Sequence, residues 1–159
     1  MNSPASLEHK PVVVSENYEK VDGRMAGRTD AKALSLGLTQ GNDKCKTLAS
    51  AKVWRHTGVE WSCESEELPL HRVLDLSILL LRSMAHFQEA YRYEHLYDPE
   101  QPVLDRLALQ GGAMTVAIAA DNESIDEDIK LFSQALSDDG ELLGERLRTL
   151  AKLLQDMGY

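Results

Sequence analysis

The sequence predicts an α+β fold: a small antiparallel β-meander of three to four strands, followed by a helical half of four helices. The spacing of apolar residues supports this prediction, because at Leu68 it changes from a period of two to that of an α-helix. A chain of 159 residues is long enough to bury one good core. We therefore expect a disordered tail over residues 1–10 and a single domain over 11–159, β-rich over 11–64 and helical over 68–159.

Three segments in the first part predict the strands. Residues 12–14 are a β-branched run, and the leucines within 34–38 alternate with small or polar residues. Residues 50–56 and 59–63 predict a hairpin joined at Thr57-Gly58, and Gly41-Asn42-Asp43 predicts an earlier turn. The resulting sheet has one face that needs cover.

The segment 68–97 predicts a long helix that ends before the two prolines at 99 and 102. It is apolar over most of its circumference, which is typical of a central, largely buried element. We expect this helix to cover the sheet, with the remaining three helices packed around it. The second of the four helices is predicted to begin near Pro102, although a strand over residues 115–119 is an alternative.

Clear boundary signals mark the last two helices. Ser124 and Glu127 have the spacing of a capping box, and Asp138-Asp139-Gly140 ends that helix. The last helix is predicted over residues 141–157, ending at Gly158. It carries an apolar seam with alternating spacings of four and three residues, formed by Leu143, Leu147, Leu150, Leu154 and Met157.

A narrow polar stripe runs along the predicted long helix. At 100° per residue its members fall within about 60° of arc. Such groups serve acid–base chemistry, metal binding or anion capture, but they also form solvated helix edges and structural networks. The stripe consists of His71, Asp75, Arg82, His86, Glu89 and Tyr93.

The loop over residues 22–32 is a second candidate. Its two glycines, with Arg24, Arg28 and Lys32, have the composition of a backbone concavity around an anion. The spacing differs from that of a phosphate-binding loop of the Walker type. A flexible connection between strands with ordinary charges is the alternative interpretation.

The charge distribution bears on partners. The chain carries a net charge of −9, and residues 121–145 contain nine acidic residues against one lysine. This surface repels phosphate backbones, so we expect no nucleic acid to bind there. A basic protein partner is compatible with it, and we assign Asp126, Glu127, Asp138 and Asp139 to partner binding. The alternative is that these acids collect at helix starts and keep the protein soluble. Trp54 is assigned to partner binding as an exposed anchor, with filling of the core as the alternative.

The sequence also bears on membrane proteins, secreted proteins and metal- or cofactor-binding proteins. The longest apolar runs are too short to cross a bilayer, and the polar start of the chain predicts no secretory leader. Cys45 and Cys63 are interpreted as free thiols in a reducing compartment, hence a cytoplasmic protein. We expect no metal and no cofactor, because metal-ligand spacings and nucleotide fingerprints are missing.

One resemblance adds to this interpretation. The run over residues 65–76, with 21–24 and 30–35, resembles a family of small uncharacterised bacterial proteins over roughly residues 10 to 100. The resemblance implies a bacterial cytoplasmic setting and no particular activity.

The leading hypothesis is therefore a non-enzymatic acidic interaction or regulatory protein of inhibitor or immunity type. The alternative is a small enzyme, or an anion- or metabolite-binding domain, that uses the polar stripe. Homo-oligomerisation through residues 143–157 is a further hypothesis.

Overall fold

The computed structural model describes residues 10–16, 18–20, 22–40, 47–61 and 66–159. The chain forms two compact units, Met1–Ser77 and Ile78–Tyr159, and the boundary falls within one helix. Several predicted features lie outside the described residues: the disordered tail except Lys10, the turn at 41–43, Cys45 and Cys63.

The first unit contains a four-stranded antiparallel sheet in the order β1-β2-β3-β4. Its strands are β1 (Lys10–Ser15), β2 (Ala31–Gln40), β3 (Thr47–Arg55) and β4 (Glu67–Pro69). Sequential neighbours pair throughout. The first three strands include the predicted segments at 12–14, 34–38 and most of 50–56, whereas β4 lies where the long helix is predicted to begin.

The core of this unit forms where β2 and β3 pair. Ala33 lies opposite Trp54 in the register, and Trp54 is only 1% exposed. Lys52, two residues earlier on β3, is also buried, and its ammonium lies 4.6 Å from the centre of the Trp54 ring. The predicted exposure of Trp54 is therefore wrong, because strand pairing and this cation–π contact enclose the indole.

Among the described residues, the predicted pairing of 50–56 with 59–63 is a single bridge between His56 and Trp61, and residues 62 and 63 lie outside the described part of the chain. The Thr57 amide donates to the Glu60 carbonyl at 3.0 Å, and Gly58 has φ +96° within this turn. The Trp61 ring meets the rings of Trp54 and His56 edge to face. Aromatic packing thus holds the turn against β3.

The long helix is α1 (Leu70–Glu89), followed by a one-turn 3-10 helix over Ala90–Arg92. The prediction of a helix over 68–97 is wrong at both ends. Leu68 and Pro69 instead pair with β3, and the chain turns at Leu96, where φ is +65°. Short-range helical preference loses to strand pairing at one end and to a turn at the other.

The prediction that α1 is largely buried is also wrong. All 20 of its residues are at least partly exposed, and Leu74 is 63% exposed. The apolar residues of a helix define the surface that it is able to bury. Whether that surface is buried depends on which other elements of the fold pack against it.

The second unit contains a hairpin where a helix is predicted. Strands β5 (Val103–Leu109) and β6 (Gly112–Ala117) pair antiparallel around Gln110 and Gly111. Both turn residues have positive φ, +52° and +77°, which is the geometry of a type I′ turn. The predicted helix from Pro102 and the single meander are therefore wrong, because the turn at Gly111 favours strand pairing over a helix.

The described residues contain three α-helices, so the predicted count of four is wrong. The others are α2 (Ile125–Asp138) and α3 (Gly140–Met157). The predicted ends hold, but the Ser124 side chain does not cap α2; its carbonyl instead accepts the Glu127 and Asp128 amides. Within the described part of the chain, no helix is both long and apolar enough to span a bilayer.

Asp139 alone connects α2 to α3. Its amide donates to the Ala135 carbonyl, and its own carbonyl accepts the Leu143 amide, so helical hydrogen bonding continues through the junction. Antiparallel helix pairs need loops of about 2–5 residues. The sequence predicts that α3 packs around the long helix, but all 18 of its residues are at least partly exposed, so the described residues do not enclose it.

Candidate functional site

A polar cavity of about 250 Å³ lies in the second unit, between the last turns of α1 and the start of β5. The 3-10 turn and the chain around Asp98 close its other sides. Charged and hydrogen-bonding groups form most of its wall. The lining comprises Arg82, Ala85, His86, Glu89, Arg92, Tyr93, Asp98, Gln101, Val103 and Leu104.

Arg82 is held rigidly at one wall of this cavity. Its Nε donates to Oδ2 of Asp105 at 2.7 Å, and a terminal nitrogen donates to the Leu104 carbonyl at 3.2 Å. The hydrogen bond from Arg82, with a second from the Arg106 amide, lowers the pKa of Asp105 below its ordinary value. Asp105 therefore stays a carboxylate and orients the guanidinium.

His86 is oriented by the chain that follows α1. Its Nε2 lies 2.9 Å from the Leu96 carbonyl oxygen, and a carbonyl only accepts, so Nε2 carries the proton. In the neutral ring Nδ1 is then a hydrogen-bond acceptor. The Tyr93 ring is nearly parallel to the imidazole, 6.5 Å away between centres.

The cavity unites four of the six residues in the predicted stripe: Arg82, His86, Glu89 and Tyr93. The other two, His71 and Asp75, do not line it and belong to the first unit. Sequence reasoning missed Arg92, Asp98 and Gln101. The prolines at 99 and 102 were a usable signal, because they predict a turn that brings these polar residues back toward the helix.

An apolar groove of about 210 Å³ is the second concave feature of this unit. Phe87 of α1 and Phe132 of α2 form an edge-to-face pair in it, with ring centres 5.7 Å apart. The segment 117–119 after β6 supplies another wall. The lining comprises Ser83, Phe87, Leu104, Ala117, Ile118, Ala119, Ile125, Asp128, Ile129 and Phe132.

Acidic residues occupy the first turn of α2, beside the groove-lining Ile125. Asp126 and Glu127 are exposed, and Asp128 lines the groove itself. The side-chain Nδ2 of Asn122 donates a hydrogen bond to Oδ2 of Asp128 at 2.8 Å. Oδ1 of Asp126 lies 3.4 Å from Nδ1 of His95. We call Asp126, Glu127 and Asp128 the acidic rim.

The remaining predicted acids lie at the other end of α2. Asp138 is exposed and Asp139, at the junction with α3, is half-buried. Asp138 accepts a hydrogen bond from the Gln134 side chain at 2.8 Å. The structure thus separates them from the acidic rim by the length of α2, about 20 Å.

Two of the three cations of the loop at 22–32 donate hydrogen bonds to the loop itself. Arg28 donates to the Arg24 carbonyl at 2.9 Å, and Lys32 donates to the Thr29 carbonyl at 3.0 Å. Arg24 and Arg28 are exposed. Binding of an anion by this loop stays a prediction.

An ion cluster in the first unit was not predicted. Arg55 at the end of β3 binds Glu66 through two nitrogens and Asp30 through a third, the last at 2.6 Å. The hydrogen bonds from Arg55 lower the pKa of Glu66, and those to Glu66 and Asp30 raise the pKa of Arg55. The cluster joins the starts of β2 and β4 to β3, which is a structural role.

Among the described residues, no three His, Cys, Asp or Glu side chains cluster as metal ligands. The fold and these two concave features define a small acidic α+β protein with a polar cavity and an apolar groove.

The chain belongs to the family of unknown function DUF6530, whose model matches residues 1–159. The resemblance to an uncharacterised family is thereby confirmed. No curated protein and no solved structure matches the chain.

Proposed function

We propose that this protein is a non-enzymatic interaction protein, of inhibitor or immunity type, that binds a basic protein partner in the bacterial cytoplasm. The observation that carries the proposal is the apolar groove with the acidic rim beside it. Open apolar grooves bordered by charge are typical of protein-binding sites.

The chemistry of the groove selects the partner. Its volume of about 210 Å³ accommodates one large apolar side chain, and the phenyl rings of Phe87 and Phe132 supply an aromatic wall. The acidic rim favours Lys or Arg next to that anchor. The proposed ligand is therefore a segment with a Leu, Phe or Trp flanked by basic residues.

The net negative charge of the second unit also attracts such a basic segment over a longer distance. Residues 78–159 contain 7 basic and 15 acidic residues, so this unit carries −8 of the total −9. A field of this sign increases the association rate of a basic partner and depends on ionic strength.

The test is a titration of a short synthetic peptide with the full chain. The peptide carries one Trp between lysines and arginines, and its fluorescence anisotropy reports binding. We expect saturable binding that weakens with salt. Asp126→Asn with Glu127→Gln is expected to weaken it about fivefold, the value of roughly 1 kcal/mol for exposed ion pairs.

The matched control is Glu145→Gln with Asp156→Asn, which removes the same charge from α3 and leaves the rim intact. A matched peptide with the Trp replaced by Ser tests the groove, and it should bind more weakly. Equal loss in the control variant, or equal binding of the Ser peptide, contradicts the proposal.

A second candidate function is binding of a small polar metabolite in the polar cavity. This second function is favoured because one cavity is lined by four residues of the predicted stripe, Arg82, His86, Glu89 and Tyr93. Inorganic phosphate is the simplest probe: it should raise the Tm of the chain, and Arg92→Ala should abolish the increase while Arg106→Ala, outside the cavity, should not. No increase in Tm, or the same loss in both variants, argues against phosphate-like ligands.

A further inference from the structure

Helix α3 presents an apolar face that the described part of the chain leaves uncovered. All 18 residues are at least partly exposed, with Leu150, Leu153 and Leu154 about half exposed and Met157 70% exposed. Most of the stability of a helix in a protein comes from packing of its apolar face. Such a face is typical of a helix whose partner lies on another molecule.

The periodicity of the face identifies the partner as another helix. Leu143, Leu147, Leu150, Leu154 and Met157 follow spacings of four, three, four and three residues. This is a repeat of 3.5 residues, which matches a second helix in knobs-into-holes packing better than a globular core. Helix α2 cannot be that partner, because the single connecting residue, Asp139, does not let α3 fold back along it.

Charge then favours a second copy of the same helix. The acidic residues of α3, Glu141, Glu145 and Asp156, are balanced by Arg146, Arg148 and Lys152. Two copies of α3 can therefore pair without net repulsion between the two helices, whereas the strongly acidic α2 selects a basic partner.

Small residues beside the seam allow close approach. Gly144 and Ala151 are seven residues apart and follow Leu143 and Leu150 directly. At Gly144 an added Cβ meets the Arg148 guanidinium at 3.1 Å, and no backbone lies closer. The flexible Arg148 side chain therefore lies over this side of the seam, and it has to move when a neighbouring helix approaches.

We infer that α3 pairs with α3 of a second copy, so that the protein is a homodimer joined through its C-terminal helix. This interface is separate from the apolar groove on α2. Its failure would therefore leave the proposed partner binding untouched.

The experiment is sedimentation equilibrium of the full chain from low to high micromolar concentration. We expect a monomer–dimer equilibrium, and Leu150→Glu with Leu154→Glu should raise its dissociation constant more than tenfold. Both side chains are half exposed, so the variant should keep its fold, which circular dichroism verifies.

Lys152→Glu is the control, because it changes the charge of α3 by the same two units on the side of the helix opposite the seam. It should leave the dissociation constant unchanged within a factor of about two. A monomer at every concentration would overturn the inference. So would a dimer that persists in the double variant, or one that Lys152→Glu disrupts equally.

Discussion

Nε of Arg82 donates to Oδ2 of Asp105 at 2.7 Å and so ties the last turns of α1 to strand β5. The two residues are 23 positions apart in the chain. This ion pair fixes one wall of the polar cavity before any ligand binds. It also makes the stability of the second unit dependent on pH.

The first prediction concerns this pH dependence. The folded-state pKa of Asp105 is lowered, so its stabilisation is present above the ordinary aspartate pKa of about 3.9 and is lost as the pH falls through the lower folded-state value. Asp105→Asn should therefore decrease the free energy of unfolding at neutral pH. The difference from the natural chain should vanish in acid. Urea unfolding at several pH values measures it, with the exposed Asp121→Asn as the control.

The second prediction concerns Arg55 and Glu66. Arg55→Lys replaces two parallel hydrogen bonds to the carboxylate by a single contact, and the pair is partly exposed. We expect a loss of up to about 1 kcal/mol in the free energy of unfolding. Arg92→Lys is the control, since Arg92 makes one exposed contact to Glu89 at 3.9 Å. An equal effect of the two substitutions would contradict the assignment.

The third prediction concerns the core of the first unit. Trp54→Ala should reduce the free energy of unfolding by about 3–5 kcal/mol, because the indole is almost fully buried. Trp61→Ala removes a less buried ring and should reduce the free energy of unfolding by clearly less than Trp54→Ala does. Chemical denaturation followed by circular dichroism compares them. If Trp61→Ala costs as much, Trp54 is not the centre of this core.

The fourth prediction concerns the turn between β5 and β6. Gln110 adopts φ +52°, a conformation that Asn tolerates better. Gln110→Asn should stabilise the chain by about 0.5 kcal/mol, and Gln110→Val should destabilise it, because β-branched residues are strained at positive φ. Thermal unfolding of both variants tests the sign. Stabilisation by Val would show that the turn differs from type I′.

The hairpin β5–β6 lies in a segment whose secondary structure the local sequence pattern does not decide. Val103, Leu107, Met114 and Ile118 have helical spacing, which predicts the helix from Pro102, and the strand over residues 115–119 is the alternative. Strand β6 over Gly112–Ala117 matches that alternative in part. Pairing of Leu107 with Met114 decides for the hairpin, and such pairing is a tertiary property.

The polar stripe was predictable only in part. Arg82, His86 and Glu89 share a face of α1 because of helical periodicity alone. Their union into a cavity requires Asp98, Gln101 and the start of β5, which return to the helix through a turn at Leu96. No pattern within the helix contains that information.

By itself the sequence determined the strand alternation in β2, the helical segments α2 and α3, their ends at Asp138 and Gly158, and the concentration of acid in the second half. These follow from short-range backbone sterics, side-chain periodicity and composition. Only the tertiary structure decided that Leu68 and Pro69 pair with β3, that Trp54 is enclosed, and that α3 stays exposed. Burial and strand pairing depend on residues far apart in the chain, so local patterns do not specify them.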